Sequence, residues 1–249
     1  MSTADRNAKK LAINCDMGES FGLYKMGDDE GIMPLITIAN VACGFHASDP
    51  TVMAKTVRLA KRHNVRVGAH PSLPDLQGFG RREMKLQPEE LTDCIIYQVA
   101  ALTGFLEREG MDLFHVKPHG SLYGMAAKSR EVAKAVADAA KVFNVPVLGM
   151  ADTLHEQIYT AAGLEFISEY YADLEYGDDG TLIITREHHA VDPKRAAERA
   201  LRAVKEGVAE TVNGGEVRVR ADCICVHSDT PNAVEVAQAV KAAVAEYLG

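Results

Sequence analysis

The chain has no tryptophan, and only 6% of its residues are aromatic. A β-sandwich, whose core leans on large inward-facing rings, is a poor fit. It has no basic block, and its formal charge is −8. That excludes nonspecific nucleic-acid binding, which needs a basic surface. No apolar run approaches the ~18 residues of a membrane span. The stretch Met1 to Lys10 is polar and lacks the apolar region of a signal peptide. The five cysteines, Cys15, Cys43, Cys94, Cys223 and Cys225, are odd in number and form no C-x-x-C pair. Reduced, buried thiols in a cytoplasmic protein are expected. There is no Walker A loop, and Gly78-Phe79-Gly80 is no dinucleotide fingerprint, so no nucleotide site is legible on this chain.

What is present is ample apolar sequence, 47% of 249 residues, arranged in a rhythm. Strands are expected at Leu11–Cys15, Ile36–Cys43, Val65–Ala69, Met111–Lys117, Val145–Gly149, Leu164–Ser168 and Cys223–Val226. Helical sequence separates them. It is opened by Asp49-Pro50, Pro88, Ser121, Thr153, Asp192-Pro193 and Thr230-Pro231. The helix from Asp192 is expected to end near Asn213-Gly214-Gly215. Residues 170–190 break the rhythm, with a turn at Asp178-Asp179-Gly180 before an added strand at Thr181–Ile184; Glu216–Arg220 is another candidate strand. Alternating strands and helices mean a parallel sheet with helical crossovers. The expected fold is α/β: a single irregular (β/α) barrel over residues 1–249, with seven strands. The barrel is preferred to an open sheet because nearly every strand ends in a polar group. All C-terminal strand ends converge only in a barrel.

Those strand ends hold the chemistry. The first supplies Asn14 and Asp16, then Glu19; the second Asn40 and His46; the third His70. The fourth carries His115, Lys117 and His119 on one parity, because strand side chains alternate faces. The sixth runs into Glu169 and Asp173, and the seventh into His227 and Asp229. Five of the nine histidines lie at such ends, whereas His63, His155, His188 and His189 are read as structural or solvated. Asp49, Asp152 and Asp192 fit helix N-caps.

Two mechanisms suit this set. Asp16, His46, His70 and His119 offer a divalent metal the imidazole and carboxylate donors it takes. Without a metal, Asp16 or Asp229 is the general base, a histidine the proton donor, and Lys117 the cation against developing charge. The plain alternative for Lys117 is a salt bridge to Asp16 or Asp229. Arg81 and Arg82 form a guanidinium pair suited to a carboxylate or phosphate.

Several motifs carry a resemblance. They are Asn14-Cys15-Asp16-Met17-Gly18-Glu19-Ser20-Phe21-Gly22, Asn40-Val41-Ala42-Cys43-Gly44-Phe45-His46-Ala47 and Gly68-Ala69-His70-Pro71, followed by Asp75-Leu76-Gln77-Gly78-Phe79-Gly80-Arg81-Arg82, His115-Val116-Lys117-Pro118-His119-Gly120 and Cys225-Val226-His227 with Asp229-Thr230-Pro231. In this order they resemble the LamB/YcsF family, the A component of 5-oxoprolinase. The resemblance implies a deacetylase-like barrel and ATP-dependent opening of 5-oxo-L-proline to L-glutamate with subunits B and C. ATP would be a co-substrate of the complex. Asp16, His46, His70, Lys117, His119 and Asp229 are then the candidate catalytic residues. Glu19, Asn40, Arg81, Arg82 and His227 are the candidates for substrate binding. The sequence departs from the family pattern at Leu174, where Arg is usual, at Ser228, where Gly is usual, and at His188-His189. Two alternatives remain: a stand-alone metal-dependent deacetylase or amidase, and a non-catalytic lactam-binding subunit.

Overall fold

The computed structural model describes residues 11–183 and 189–248. Seven parallel strands close into a barrel: β1 (Ala12–Met17), β2 (Ile38–Ala42), β3 (Arg66–His70), β4 (Leu113–Val116), β5 (Val147–Gly149), β6 (Phe166–Tyr171) and β11 (Cys223–His227). The order around the barrel is β1-β11-β6-β5-β4-β3-β2, and β1 pairs with β2 to close it. The expected seven-stranded irregular barrel is what the chain builds. Its irregularity includes a register shift between β3 and β4, at Val67/Ala69.

The helices are α1 (Asp29–Ile32), α2 (Pro50–Arg62), α3 (Pro88–Glu109), α4 (Gly120–Lys128), α5 (Arg130–Phe143), α6 (Leu154–Ala161), α7 (Pro193–Glu206) and α8 (Ala233–Ala243). Local chemistry sets their ends. Asp49 caps α2 by accepting from Thr51 and Val52 N–H, with Pro50 at the first helical position. Gly110 ends α3 in the left-handed region at φ 66°. One large apolar cluster lies between strands and helices, including Ile13, Cys15, Val41, Val116 and Val226. A smaller one, Ala12, Ile38, Leu148, Ile167 and Cys223 with Phe114 against it, plugs the N-terminal end of the barrel. Phe114 therefore does not share the Val116 side as simple alternation predicts; the shift at Val67/Ala69 accounts for this.

Three sequence expectations change. The helix from Asp192 stops at Gly207, in the left-handed region at φ 67°. Residues 208–210 (β9) then pair antiparallel with 216–218 (β10), and Asn213-Gly214-Gly215 lies in their turn. Strand six lies later than its apolar run, so Glu169 and Tyr171 are inside it. A charge can sit there because a partner across the barrel meets it. The added strand is present at Leu182–Ile183 (β8), paired with Glu175–Tyr176 (β7); Ile184 and His188 lie outside the described residues.

Above the apolar plug the barrel interior is polar. Gly68 makes that possible: a Cβ on it would lie 2.0–2.2 Å from the His115 ring. We predict that Gly68→Ala lowers unfolding stability by about 1–3 kcal/mol through overpacking, read by urea denaturation. Equal midpoints for the two proteins would refute this packing.

Candidate functional site

Asp16 is the hub. It ends β1 facing inward, 4% exposed. Its Oδ1 accepts from Lys117 Nζ at 2.9 Å and Asn40 Nδ2 at 2.8 Å. Its Oδ2 lies 3.2 Å from His70 Nε2 and 3.9 Å from His227 Nε2. Burial alone would raise its carboxyl, but His70 and Lys117 hold it well below the usual carboxylate range. Lys117 also meets Glu169 Oε1 at 3.0 Å. Burial works against its ammonium, yet Asp16 and Glu169 keep it charged well beyond the ordinary lysine range. Tyr171 donates its hydroxyl to Glu169 Oε2 at 2.7 Å.

Below this layer Asn40 also donates to Asn14 Oδ1 at 2.7 Å and accepts from His115 Nε2 at 2.7 Å. Asn40 is fully buried and holds Asp16 in place. His115 is held neutral, first by burial and then by Lys117.

The second cluster lies on the loops above. His119 continues the extended β4 path, its N–H donating to Pro71 O at 2.9 Å. Its ring stacks on His46 at 3.7 Å and 3°. His46 Nε2 donates to Glu19 Oε1 at 3.1 Å. His46 and His119 are held neutral by burial and neighbouring histidines. Burial, then Asp16 and Asp229, push the Glu19 carboxyl well above its ordinary range. The loop 75–82 packs over this pair. Phe79, at φ 54°, offers its carbonyl to His119 Nε2 at 2.8 Å. A Cβ on Gly80 would lie 2.8 Å from both His119 Cδ2 and His46 Cβ, so only glycine allows this approach.

Of the two arginines, the fold brings only Arg81 to the rim, where it donates to Asp229 Oδ2 at 2.7 Å. The Arg82 guanidinium is bound by Asp75 and is 44% exposed. Asp229, expected as a base, pairs with Arg81. His227 donates from Nδ1 to Asp173 at 3.0 Å, and its backbone N–H donates to the same carboxylate at 2.7 Å. Burial opposes its charge, but Asp173 and Asp16 raise His227 to about 9.

The metal donors gather differently from the expectation. Glu19, His46, His70 and His119 place one ligand atom each within 4.8 Å of one another, and Asp16 groups with Cys225 and His227. Glu19 thus takes the place expected for Asp16. His46 and His119 cannot both point at one ion, because their planes are parallel. Asn14, Glu169 and Asp173 stood among the strand-end groups without a catalytic or binding role, and Tyr171 was not among them. Strand parity pointed to Glu169 and Tyr171 once β6 is extended, but only the bend after β6 brings Asp173 under His227.

An inner cleft of ≈30 Å³ is lined by Asp16, His70, Lys117, His119, Tyr171 and His227, among others. It has room for about two waters at ~10–15 Å³ each. It adjoins a cavity of ≈510 Å³ walled by residues that include Ser121, Met125, Lys128, Met150 and Leu182, with Arg81 lining both.

A closed parallel barrel with a charge-balanced site at the strand C-termini defines a class, the (β/α) barrels that handle small molecules at that rim. Within it, the chain belongs to the LamB/YcsF family, whose model matches residues 11–247. It is 48% identical over 243 residues to the lactam utilization protein lamB of Emericella nidulans, covering 96% of both chains. It is also 48% identical to the A component of 5-oxoprolinase from Thermus thermophilus, covering 94% and 95%. The crystal structure of a lactam utilization protein, likewise from Thermus thermophilus, superposes with a TM-score of 0.88 at 46% identity, covering 95% of this chain and 96% of that one.

Removing the Lys117 charge leaves Asp16 and Glu169 uncompensated. We predict that Lys117→Met costs about 3–5 kcal/mol, read by denaturant unfolding. A loss below ~1 kcal/mol, the scale of an exposed pair, would show that these carboxylates do not depend on it.

Proposed function

We propose that this chain is the lactam-opening A component of an ATP-dependent 5-oxoprolinase. Working with subunits B and C, it converts 5-oxo-L-proline to L-glutamate. The names of its relatives support the substrate and the assembly. The observation that carries the chemistry is the cleft itself: an anionic Asp16 and a cationic His227 face one small volume.

The lactam is too large for the inner cleft and fits the outer cavity, its ring carbon toward the cleft. Arg81 at the shared rim is placed for its carboxylate. A water in the cleft gives a proton to Asp16 Oδ2 as its oxygen bonds to the ring carbon. The C–N bond then breaks, and the nitrogen leaves with a proton from His227 Nε2–H. Lys117 keeps Asp16 ionised and balances the charge behind it. Asp173 fixes the His227 ring, so that Nε2–H faces the cleft.

A carboxylate held this far below its usual range is a weak base. It suffices for an activated carbon better than for a resting amide, which is the physical case for ATP. Phosphorylation of the lactam oxygen activates that carbon, and ring opening then releases an acyl phosphate that a second water hydrolyses. We assign ATP to the complex as co-substrate, its nucleotide site to a partner subunit, and the protein to the cytoplasm on the strength of its five free thiols. No described helix is long and apolar enough to cross a membrane.

Glutamate release from 5-oxoproline should require this chain, ATP, and both partner subunits. Turnover by the chain alone without ATP would favour the amidase reading. No turnover by the full complex would sink the proposal. Asp16→Asn and His119→Ala should each lower turnover at least 100-fold with the fold retained by circular dichroism, and wild-type rates in both would refute the site.

His227 also predicts a pH profile. Its folded pKa, about 9, lies above the ordinary value of 6.5. Its ion-pair stabilisation is therefore complete below ~6.5 and is lost as pH rises through about 9. Turnover should fall along an alkaline limb centred at about 9, where the folded His227 loses its proton. Asp173→Asn should move the limb toward neutrality, and an unmoved limb would remove His227 as the proton donor.

A further inference from the structure

Two imidazole nitrogens and two carboxylates crowd one buried spot beside His70 and His119. His70 Nδ1 lies 2.7 Å from Lys117 O, and His119 Nε2 lies 2.8 Å from Phe79 O. A carbonyl only accepts, so each of these nitrogens carries a hydrogen. The opposite nitrogens, His70 Nε2 and His119 Nδ1, turn toward the shared spot. They face each other at 3.0 Å. Glu19 Oε1 lies 3.6 Å from His119 Nδ1, and Asp16 Oδ2 lies 3.2 Å from His70 Nε2. Two ring nitrogens and two carboxylates thus converge on one buried spot.

We propose that Glu19, His70 and His119 hold a divalent transition metal of the zinc type, with Asp16 Oδ2 flanking it. Ligands at 2.0–2.1 Å in a tetrahedron lie about 3.3–3.4 Å apart. The edges of 3.0 and 3.6 Å bracket that spacing. Two imidazoles and one carboxylate make a common three-ligand set, with a fourth position left open.

The surroundings match a metal's needs. Each ligating ring has its other N–H bound to a backbone carbonyl, which fixes the tautomer that leaves a lone pair inward. His46 is excluded as a ligand because its plane parallels that of His119 at 3.7 Å, so no single ion lies in both planes. Its Nε2–H instead donates to Glu19 Oε1 and orients the carboxylate. The ion would face the inner cleft beside Asp16 and polarise a carbonyl or phosphoryl oxygen there. The inference concerns occupancy and can be tested without substrate or partner subunits, so it stands or falls separately from the lactam reading.

The full chain, stripped with a chelator and dialysed, should be titrated calorimetrically with Zn²⁺, and with Co²⁺ as a spectroscopic probe. One ion per chain is expected, with visible Co²⁺ bands of low-coordinate type and X-ray absorption showing two imidazoles. His70→Ala, His119→Ala and Glu19→Gln should each weaken binding at least 100-fold. His46→Ala should weaken it about 10–100-fold with the stoichiometry kept, as expected for an orienting group. Thermal melts establish which variants fold, and the Co²⁺ spectrum of the intact protein serves if one does not. Zn²⁺ binding no tighter to wild type than to His70→Ala/His119→Ala, or a Co²⁺ spectrum without nitrogen ligands, would overturn the site. A proton shared between His70 and His119 would then explain their 3.0 Å approach.

Discussion

The structure depends on one buried ammonium. Lys117 lies inside the barrel at 2% exposure, between Asp16 and Glu169. Charges so placed cost several kcal/mol each to desolvate, and they persist only when paired and hydrogen-bonded. The rest of the interior meets that condition. Asn40 and Asn14 supply amides, Tyr171 supplies a hydroxyl to Glu169, and His115 closes the chain from below. Gly68 yields the space that the His115 ring takes. A packed apolar barrel of this size would be simpler to stabilise, so the polar column is best understood through the site it supports.

Above that column two carboxylates are tuned apart. Asp16 is surrounded by cations and imidazoles and stays an anion. Glu19 is equally buried, but it faces Asp16 and Asp229 and is pushed toward its neutral form unless a cation joins it. Such divergence is how a site holds both proton acceptors and proton donors at one pH. The His227–Asp173 pair supplies the opposite charge across the cleft. The loop 75–82 makes the arrangement durable. It bonds Gly80 O to the Ser121 N–H at 2.9 Å and seats the Phe79 carbonyl against His119.

Much of this was legible in the residues. The alternation of strands and helices implied parallel strands, and polar groups at nearly every strand end implied a closed barrel. Parity along β4 put His115, Lys117 and His119 on one side, and the structure brings all three to the interior column or its mouth. Local capping rules gave the start of α2, with Asp49 and Pro50. They failed at Gly207, where a residue able to end a helix stood ahead of a more conspicuous Asn-Gly-Gly that belongs to a hairpin turn.

Composition and spacing alone determined the chain's class and the residue types available at the rim, because those follow from period-two alternation and local backbone preference. Only the tertiary structure decided which groups meet. Arg81 and Arg82 are adjacent in sequence, yet one turns to Asp229 and the other to Asp75. Asp16 and Glu19 are three residues apart, yet Asp16 meets Lys117 and Glu19 meets His46. Glu169 lies in a strand because Lys117, 52 residues earlier, neutralises it across the barrel. Long-range charge compensation has no local sequence signature. It arises only when barrel closure brings distant strand ends within a few ångströms of one another.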